Sequence, residues 1–179
     1  MSKGVILRRA QHDTILFIFK RRANMKIRIY RKDKSIPLPE RKTPHSVGLD
    51  VYIFETIELH PGKVALAPTG LIIESPAGFY FRVHIRSGFS VKHGISLAND
   101  VGIIDEDYCG PRDELKIALI KHYNPNDPGK DKPFVIEKGT RIAQIIFEKN
   151  SLQEIEWDEQ RNPDFAGKTR GGFGSTGSK

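Results

Sequence analysis

The residues that offer the most chemistry form an acidic segment, NDVGIIDEDYCG, at positions 99–110. Asp105, Glu106 and Asp107 stand together, and acids this close repel one another unless solvent or a cation relieves the charge. If strand alternation continues here, Ile103, Asp105 and Asp107 share one face, which turns Asp105 toward apolar surroundings. A partly desolvated carboxylate can act as a general base that takes a proton from water. The alternative is an acidic turn that is solvated and has no role.

Two further clusters have the residue types of a phosphate or cation site. Asp50 follows Gly48 at the start of an apolar run. Its carboxylate either forms an Asx turn or helps to hold a hydrated divalent cation. Arg86, Ser87 and Gly88 stand where an alternating strand pattern ends and a short helix over residues 87–92 is predicted. Such a group can contact phosphate, and the structural alternative is an N-cap serine beside a surface arginine.

The segment RGGFGSTG at positions 170–177 places four glycines around one aromatic ring. Glycine contributes no packing, so the composition predicts either a disordered tail or a lid that closes over a ligand. Arg170, Ser175 and Thr176 can bind anionic oxygens, and Phe173 can stack on a flat base. The choice between tail and lid depends on the rest of the chain.

Short strands must position these clusters. The clearest alternation is Phe79, Phe81, Val83 and Ile85, with polar residues between them. Other predicted strands begin at Met25 and cover residues 51–59, 64–67, 71–73, 115–121, 134–136 and 141–147, with glycine and proline turns between them. No long amphipathic helix is predicted. The pattern indicates an all-β fold, a jelly-roll type β-barrel.

Charge and composition limit the classes of function. The chain has 179 residues and a net charge of +7. Residues 1–42 carry a net charge of +10 and residues 43–179 a net charge of −3, so a basic arm precedes a mildly acidic body. The arm is a solvated tail or a contact for nucleic acid, and its arginines leave organelle targeting by residues 1–24 as an option. No membrane-spanning run is found, and a single cysteine fits a reducing, cytoplasmic compartment.

Five segments in order resemble the trimeric deoxyuridine triphosphatases (dUTPases). They are GLDVY at 48–52, RSG at 86–88, NDVGIIDEDYCG at 99–110, GTRIAQIIF at 139–147 and RGGFGSTG at 170–177. The resemblance implies a homotrimer with shared active sites and hydrolysis of dUTP to dUMP and pyrophosphate with Mg²⁺. It also implies three regions: an extension at 1–24, a barrel domain at 25–166 and a C-terminal lid at 167–179.

The resemblance also implies a role for each matched residue. Asp105 would activate the water that attacks the α-phosphorus, and Asp50 would hold the magnesium-bound triphosphate through water. Arg86, Ser87, Gly88 and Gln144 would contact the phosphates. The predicted hairpin from Asn99 to Tyr108, with Gly102 and Ile104, would receive uracil by main-chain hydrogen bonds, and Tyr108 would exclude a ribose 2′-hydroxyl.

The C-terminal lid would close over a neighbouring subunit's site. Phe173 would cover the uracil, and Arg170, Gly174, Ser175 and Thr176 would meet the terminal phosphates. The family more often has its cation five positions before the phenylalanine, where this chain has Lys168. Lys168 and Arg170 therefore compete for the γ-phosphate. Two other functions are weighed on the same fold: a dCTP deaminase, alone or combined with dUTPase activity, and a regulatory binding protein.

Overall fold

Short antiparallel strands make up most of the regular structure. The computed structural model describes residues 25–126, 129, 131–151 and 155–157, and the basic extension 1–24 lies outside them. Eleven strands and one short helix occur in the described residues. They are β1 (Arg28–Arg31), β2 (Leu49–Tyr52), β3 (Ile57–Leu59), β4 (Val64–Pro68), β5 (Leu71–Glu74), β6 (Phe79–Ile85), α1 (Ser87–His93), β7 (Ile95–Leu97), β8 (Gly102–Ile104), β9 (Lys116–Lys121), β10 (Phe134–Ile136) and β11 (Arg141–Lys149). The all-β prediction is confirmed.

The strands form four antiparallel sheets. β1 pairs with β5, and β10 pairs with β3. A three-stranded sheet has the order β4-β9-β7, and a four-stranded sheet has the order β2-β11-β6-β8. The four-stranded sheet carries most of the predicted phosphate-side residues, because β2 brings Asp50, β11 brings Gln144 and the end of β6 leads into Arg86.

Most predicted strands are confirmed, with three differences. The strand predicted from Met25 begins only at Arg28. The run at 51–59 is divided into β2 and β3. Between these strands the backbone amides donate to residues outside the ladders of β2 and β3. The Ile53 amide bonds the Thr140 carbonyl, and the Phe54 amide bonds the Pro68 carbonyl. Strand β7 was not predicted, since three residues are too few for alternation to be recognised.

Alternating side chains from the two larger sheets supply much of the core. Phe81 and Val83 of β6 are buried, as are Ile117 and Leu119 of β9. Replacing one buried leucine or isoleucine by alanine costs about 2–5 kcal/mol in a packed core. The opposite face of each sheet is therefore the one that can carry chemistry or a partner.

A polar network lies on the outer face of the four-stranded sheet, at the end of β11. Tyr80 donates a 2.7 Å hydrogen bond to Glu148 Oε2, and Arg82 Nη1 lies 3.1 Å from Glu148 Oε1. The bond from Tyr80 is the largest cause that lowers the pKa of Glu148, and the same bond raises the pKa of Tyr80. This network does not include Asp50, so Arg82 provides a control for the arginines that contact Asp50.

The compact unit that contains all twelve elements ends at Lys149, and residues 150–179 form a second unit. In the second unit only 150, 151 and 155–157 are described, and none is in a helix or strand. The predicted boundaries at residues 24 and 166 lie outside the described residues. Nowhere in the described part of the chain is a helix long and apolar enough to cross a membrane.

Candidate active site

Asp50 and Gln144 lie opposite each other on adjacent strands, β2 and β11. Gln144 also faces His84 of β6, so the three side chains form a row across the outer face of the sheet. The row brings together two of the segments singled out in the sequence, GLDVY and GTRIAQIIF.

Gly48 makes the position of Gln144 possible. A Cβ atom at residue 48 would lie 2.1 Å from Gln144 Oε1 and 2.9 Å from Gln144 Cδ, well inside any allowed contact. Any larger residue would therefore displace the Gln144 side chain from this row. The glycine of the GLDVY segment is explained by this close approach.

The Asp50 carboxylate is buried between two guanidinium groups. Its side chain is only 11 % exposed. Arg86 Nε lies 3.5 Å from Oδ1, and Arg141 Nη1 donates a 3.1 Å hydrogen bond to Oδ2. Arg86 Nη1 also donates a 3.1 Å bond to the main-chain carbonyl of Arg141. Two positive charges around one carboxylate leave a net positive site, which suits an anionic ligand.

Arg141 is absent from the predicted site residues, although it lies inside the GTRIAQIIF segment. Regular alternation would place it on the same face as Ala143 and Ile145, which are buried in the core. An arginine at a position that alternation points into the core is the signal that could have identified it.

Arg86 and Ser87 connect β6 to α1. The helix begins at Ser87, and Arg86 is its N-cap residue, with no side-chain capping bond. The structural alternative in which Ser87 is an N-cap serine is therefore wrong. Ser87 and Gly88 are both exposed, which leaves the serine hydroxyl and the amides at this turn accessible to a ligand.

The acidic segment does not form the predicted two-stranded hairpin. β7 pairs with β9, whereas β8 pairs with β6, so the two flanking strands belong to different sheets. The turn between them includes Asp100 at φ 62°, the left-handed region that a non-glycine residue adopts rarely. Gly102 is buried, and a Cβ there would lie 3.0 Å from Val83 Cβ, which explains the glycine.

Asp105 is exposed, so the predicted partial desolvation is wrong for the chain on its own. The alternation that would have buried it ends at Ile104, the last residue of β8, and Ile103 is itself 64 % exposed. Glu106 accepts a 2.8 Å hydrogen bond from the Gly78 amide. Asp105 and Asp107 make no side-chain hydrogen bond to another described residue. Glu106 therefore differs from Asp105 and Asp107, whose carboxylates are both exposed.

Tyr108 and Asn99, at the two ends of this segment, are also exposed. The Tyr108 hydroxyl lies 3.4 Å from the Glu114 carbonyl, a long hydrogen bond that holds the ring loosely. Ile104 is half-buried and packs against the core. The segment therefore exposes the side chains of Asn99 and Tyr108 as well as that of Ile103.

The two groups of site residues lie at opposite ends of β6. The ladder pairs Val83 with Gly102 and Phe81 with Ile104, so Asp105 lies beyond Phe81, near Tyr80. Arg86 is six positions further along the strand. At about 3.3 Å per residue this separates Asp105 from Arg86 by about 20 Å. One chain therefore does not bring the predicted base to the predicted phosphate contacts.

No group of three or more histidine, cysteine, aspartate or glutamate side chains among the described residues is arranged to hold a metal ion. Asp50 is the one residue that was predicted to lie beside the metal ion, and each of its carboxylate oxygens already contacts an arginine. This donor set fits an ion that arrives with its own phosphate ligands and waters, with at most an outer contact to Asp50.

The predicted C-terminal contacts, Lys168, Arg170, Phe173, Gly174, Ser175 and Thr176, lie outside the described residues.

Comparison with known proteins identifies the family of this chain. The family model for dUTPase matches residues 34–177. A deoxyuridine 5′-triphosphate nucleotidohydrolase of Rickettsia prowazekii is 42 % identical over 142 residues, covering 78 % of this chain and 88 % of that protein. The crystal structure of the Streptococcus mutans dUTPase, 27 % identical, superposes with a TM-score of 0.61 over 74 % of this chain and 98 % of that one.

A third relative shares the fold at lower identity. A point mutant of the dUTPase from the Staphylococcus aureus phage phi11, whose structure shows the coordination of a structural Mg(II) ion, is 19 % identical, with a TM-score of 0.64 over 78 % of this chain and 99 % of that chain. Residues 34–177, which the dUTPase family model matches, include all five motifs and both groups of site residues described above. The chain belongs to the dUTPase family.

Proposed function

We propose that this protein hydrolyses dUTP to dUMP and pyrophosphate. The observation that carries the proposal is the cluster formed by Asp50, its neighbour Gln144 on β11 and its ion-pair partner Arg86, at the positions where the family's motifs match this chain. Family membership supports the same reaction and does not favour a dCTP deaminase. The single cysteine is in keeping with a cytoplasmic location.

The proposed reaction is an in-line displacement at the α-phosphorus. Asp105 takes a proton from a water molecule, and the water oxygen forms a bond to the α-phosphorus. The bond from that phosphorus to the α,β-bridging oxygen breaks, and pyrophosphate leaves with the bonding electrons. Gln144 and Ser87 contact the α- and β-phosphates, and Arg86 offsets the charge that develops on their oxygens.

Mg²⁺ is the proposed cofactor, held mainly by the triphosphate. Asp50 would contact the ion's hydration shell, in agreement with the absence of a three-carboxylate cluster in the described residues. When bound, Mg²⁺ would neutralise part of the phosphate charge.

A homotrimer with shared active sites is the proposed assembly. The separation of about 20 Å between Asp105 and Arg86 along β6 supports it, because a base from one subunit must then meet phosphate contacts from another. The exposure of Asp105 and Tyr108 in a single chain agrees, since a second subunit would cover them.

An apolar sheet face offers a surface for this assembly. On the β4-β9-β7 sheet the side chains that point away from the core are mostly apolar. Val64 lies beside Ile120, Leu66 lies beside Ala118, and Val64 and Leu66 are 57 % and 58 % exposed. A solvated sheet face normally carries polar residues at these positions, and an exposed apolar patch commonly marks an interface.

Replacing Leu66 by lysine is expected to dissociate the trimer, because the charge would be buried against another subunit. Analytical ultracentrifugation should show monomers for Leu66→Lys and a trimer for the native chain. Val135→Lys is the matched control, since Val135 is 49 % exposed on β10, in a different sheet. A Leu66→Lys protein that remains trimeric would exclude this face as the interface.

Replacing Tyr108 by alanine is expected to admit UTP. The ring is proposed to occupy the space that a ribose 2′-hydroxyl would need, and steric rejection of one small group is worth about tenfold or more. The ratio of kcat/KM for UTP to that for dUTP should rise by roughly this factor. An unchanged ratio would place sugar discrimination elsewhere.

The proposed function is tested by pyrophosphate release from dUTP beside dTTP, dCTP and UTP, with and without Mg²⁺. Strong preference for dUTP with Mg²⁺ is expected. Ammonia release from dCTP would instead identify a deaminase. Equal turnover of dTTP or UTP would contradict the specificity attributed to the segment from Asn99 to Tyr108.

A further inference from the structure

We propose that Arg141 is a positioning residue of the phosphate site, which shares the charge of Asp50 so that Arg86 stays directed at the triphosphate. The inference rests on the proposed function, because it assigns Arg86 to the phosphates of dUTP.

The first argument is the way in which Arg86 is held. Its Nε lies 3.5 Å from Asp50 Oδ1, and its Nη1 donates to the Arg141 carbonyl at 3.1 Å. The Arg86 amide donates to the Ile142 carbonyl at 3.0 Å. Both ends of Arg86 are thus fixed to the first two residues of β11. No hydrogen bond links Nη2 to any other described residue, so this edge of the guanidinium can bind an anion.

The second argument is a β-bulge that aims Arg141. The ladder between β11 and β2 pairs Arg141 with Tyr52 and Ala143 with Val51, which leaves Ile142 as an extra residue. Ile142 and Ala143 are both fully buried. The extra residue therefore turns Arg141 from the core face to the face that carries Asp50 and Gln144. Bulges commonly redirect a side chain beside a functional site in this way.

The third argument concerns charge. Asp50 is nine-tenths buried, and its two oxygens are divided between Arg86 and Arg141. Without Arg141 the carboxylate would have one guanidinium partner, and the pair would become neutral. Arg86 would then be drawn toward Asp50 and would offer less charge to the phosphates. The neighbouring carboxylate of Glu40 is bound instead by Lys42 and Tyr52, whose hydrogen bonds are the main causes that lower its pKa, and the charge of Arg141 adds least.

The test compares Arg141→Met with Arg82→Met. Arg82 is a matched control on the same sheet face, because it forms an ion pair of the same 3.1 Å length with Glu148 and is 36 % exposed, against 37 % for Arg141. Calorimetric titration with the non-hydrolysable dUTP analogue dUpNHpp and with dUMP, both with Mg²⁺, measures the contribution of the outer phosphates. Binding of dUpNHpp to the native protein tests the proposed function separately.

Arg141→Met should bind dUpNHpp at least tenfold more weakly and dUMP within twofold of the native protein. Arg82→Met should bind both within twofold. Arg141→Lys, which keeps a cation beside Asp50, should recover most of the lost affinity. Equal weakening for both ligands would mean a structural role and would overturn the inference, as would unchanged binding of dUpNHpp. If Arg141→Met does not fold, Arg141→Gln is measured in its place with the same expectations.

Discussion

Replacing Asp105 by asparagine is expected to lower kcat by about 10²–10⁴-fold while leaving the affinity for dUpNHpp within about threefold. Asparagine keeps the size of the side chain and loses the basic oxygen that would take the proton from water. Rapid-quench turnover of dUTP and calorimetric titration of dUpNHpp measure the two quantities separately.

Asp107→Asn is the matched control. Asp107 is two positions away, exposed, and without a side-chain hydrogen bond to another described residue, so it differs from Asp105 in its proposed role and not in its chemistry. Its replacement should change kcat by less than twofold. Similar losses for the two variants would mean that the acidic segment acts through its total charge, and Asp105 would not be the base.

Truncation after Gly167 is expected to lower kcat/KM by about 10²–10³-fold and to leave the thermal unfolding midpoint unchanged. The removed residues include the proposed contacts of the uracil ring and of the terminal phosphates, and they lie outside the compact unit that ends at Lys149. Steady-state kinetics and calorimetric unfolding are the two measurements.

Truncation after Gly177 is the control, since it removes only Ser178 and Lys179 and keeps the whole RGGFGSTG segment. It should retain native activity. An active protein truncated after Gly167 would show that the segment is a tail and not a lid. If the protein truncated after Gly167 is inactive, separate replacement of Lys168 and Arg170 by methionine shows which cation meets the γ-phosphate, because only that variant should lose affinity for dUpNHpp.

The sequence predicts well what depends on local pattern. Strand β6 was predicted with its observed bounds because four apolar side chains, of which Phe81 and Val83 are buried, alternate with three polar ones, and helix α1 was predicted to within one residue. Strand pairing between distant segments was harder to predict from the sequence. The meeting of Asp50 with Arg141 needs a long-range ladder and a bulge, and neither leaves a clear local pattern.

The environment of Asp105 could not be predicted from alternation for a different reason. Alternation assumes that the strand continues, but β8 ends at Ile104. In the proposed trimer a second subunit covers Asp105, and no pattern within one chain specifies that contact. The residues alone left a general base and a solvated acidic turn as alternatives, and the resemblance to dUTPases was needed to choose between them for a carboxylate that is exposed in the single chain.

Hydrolysis of dUTP in ¹⁸O-labelled water tests the central claim most directly. Attack of an Asp105-activated water on the α-phosphorus predicts that one labelled oxygen appears in dUMP and none in pyrophosphate, as read by mass spectrometry of the two products. Label in pyrophosphate would place the attack on the β-phosphorus, and that result, or an absence of dUTP hydrolysis, would contradict the account.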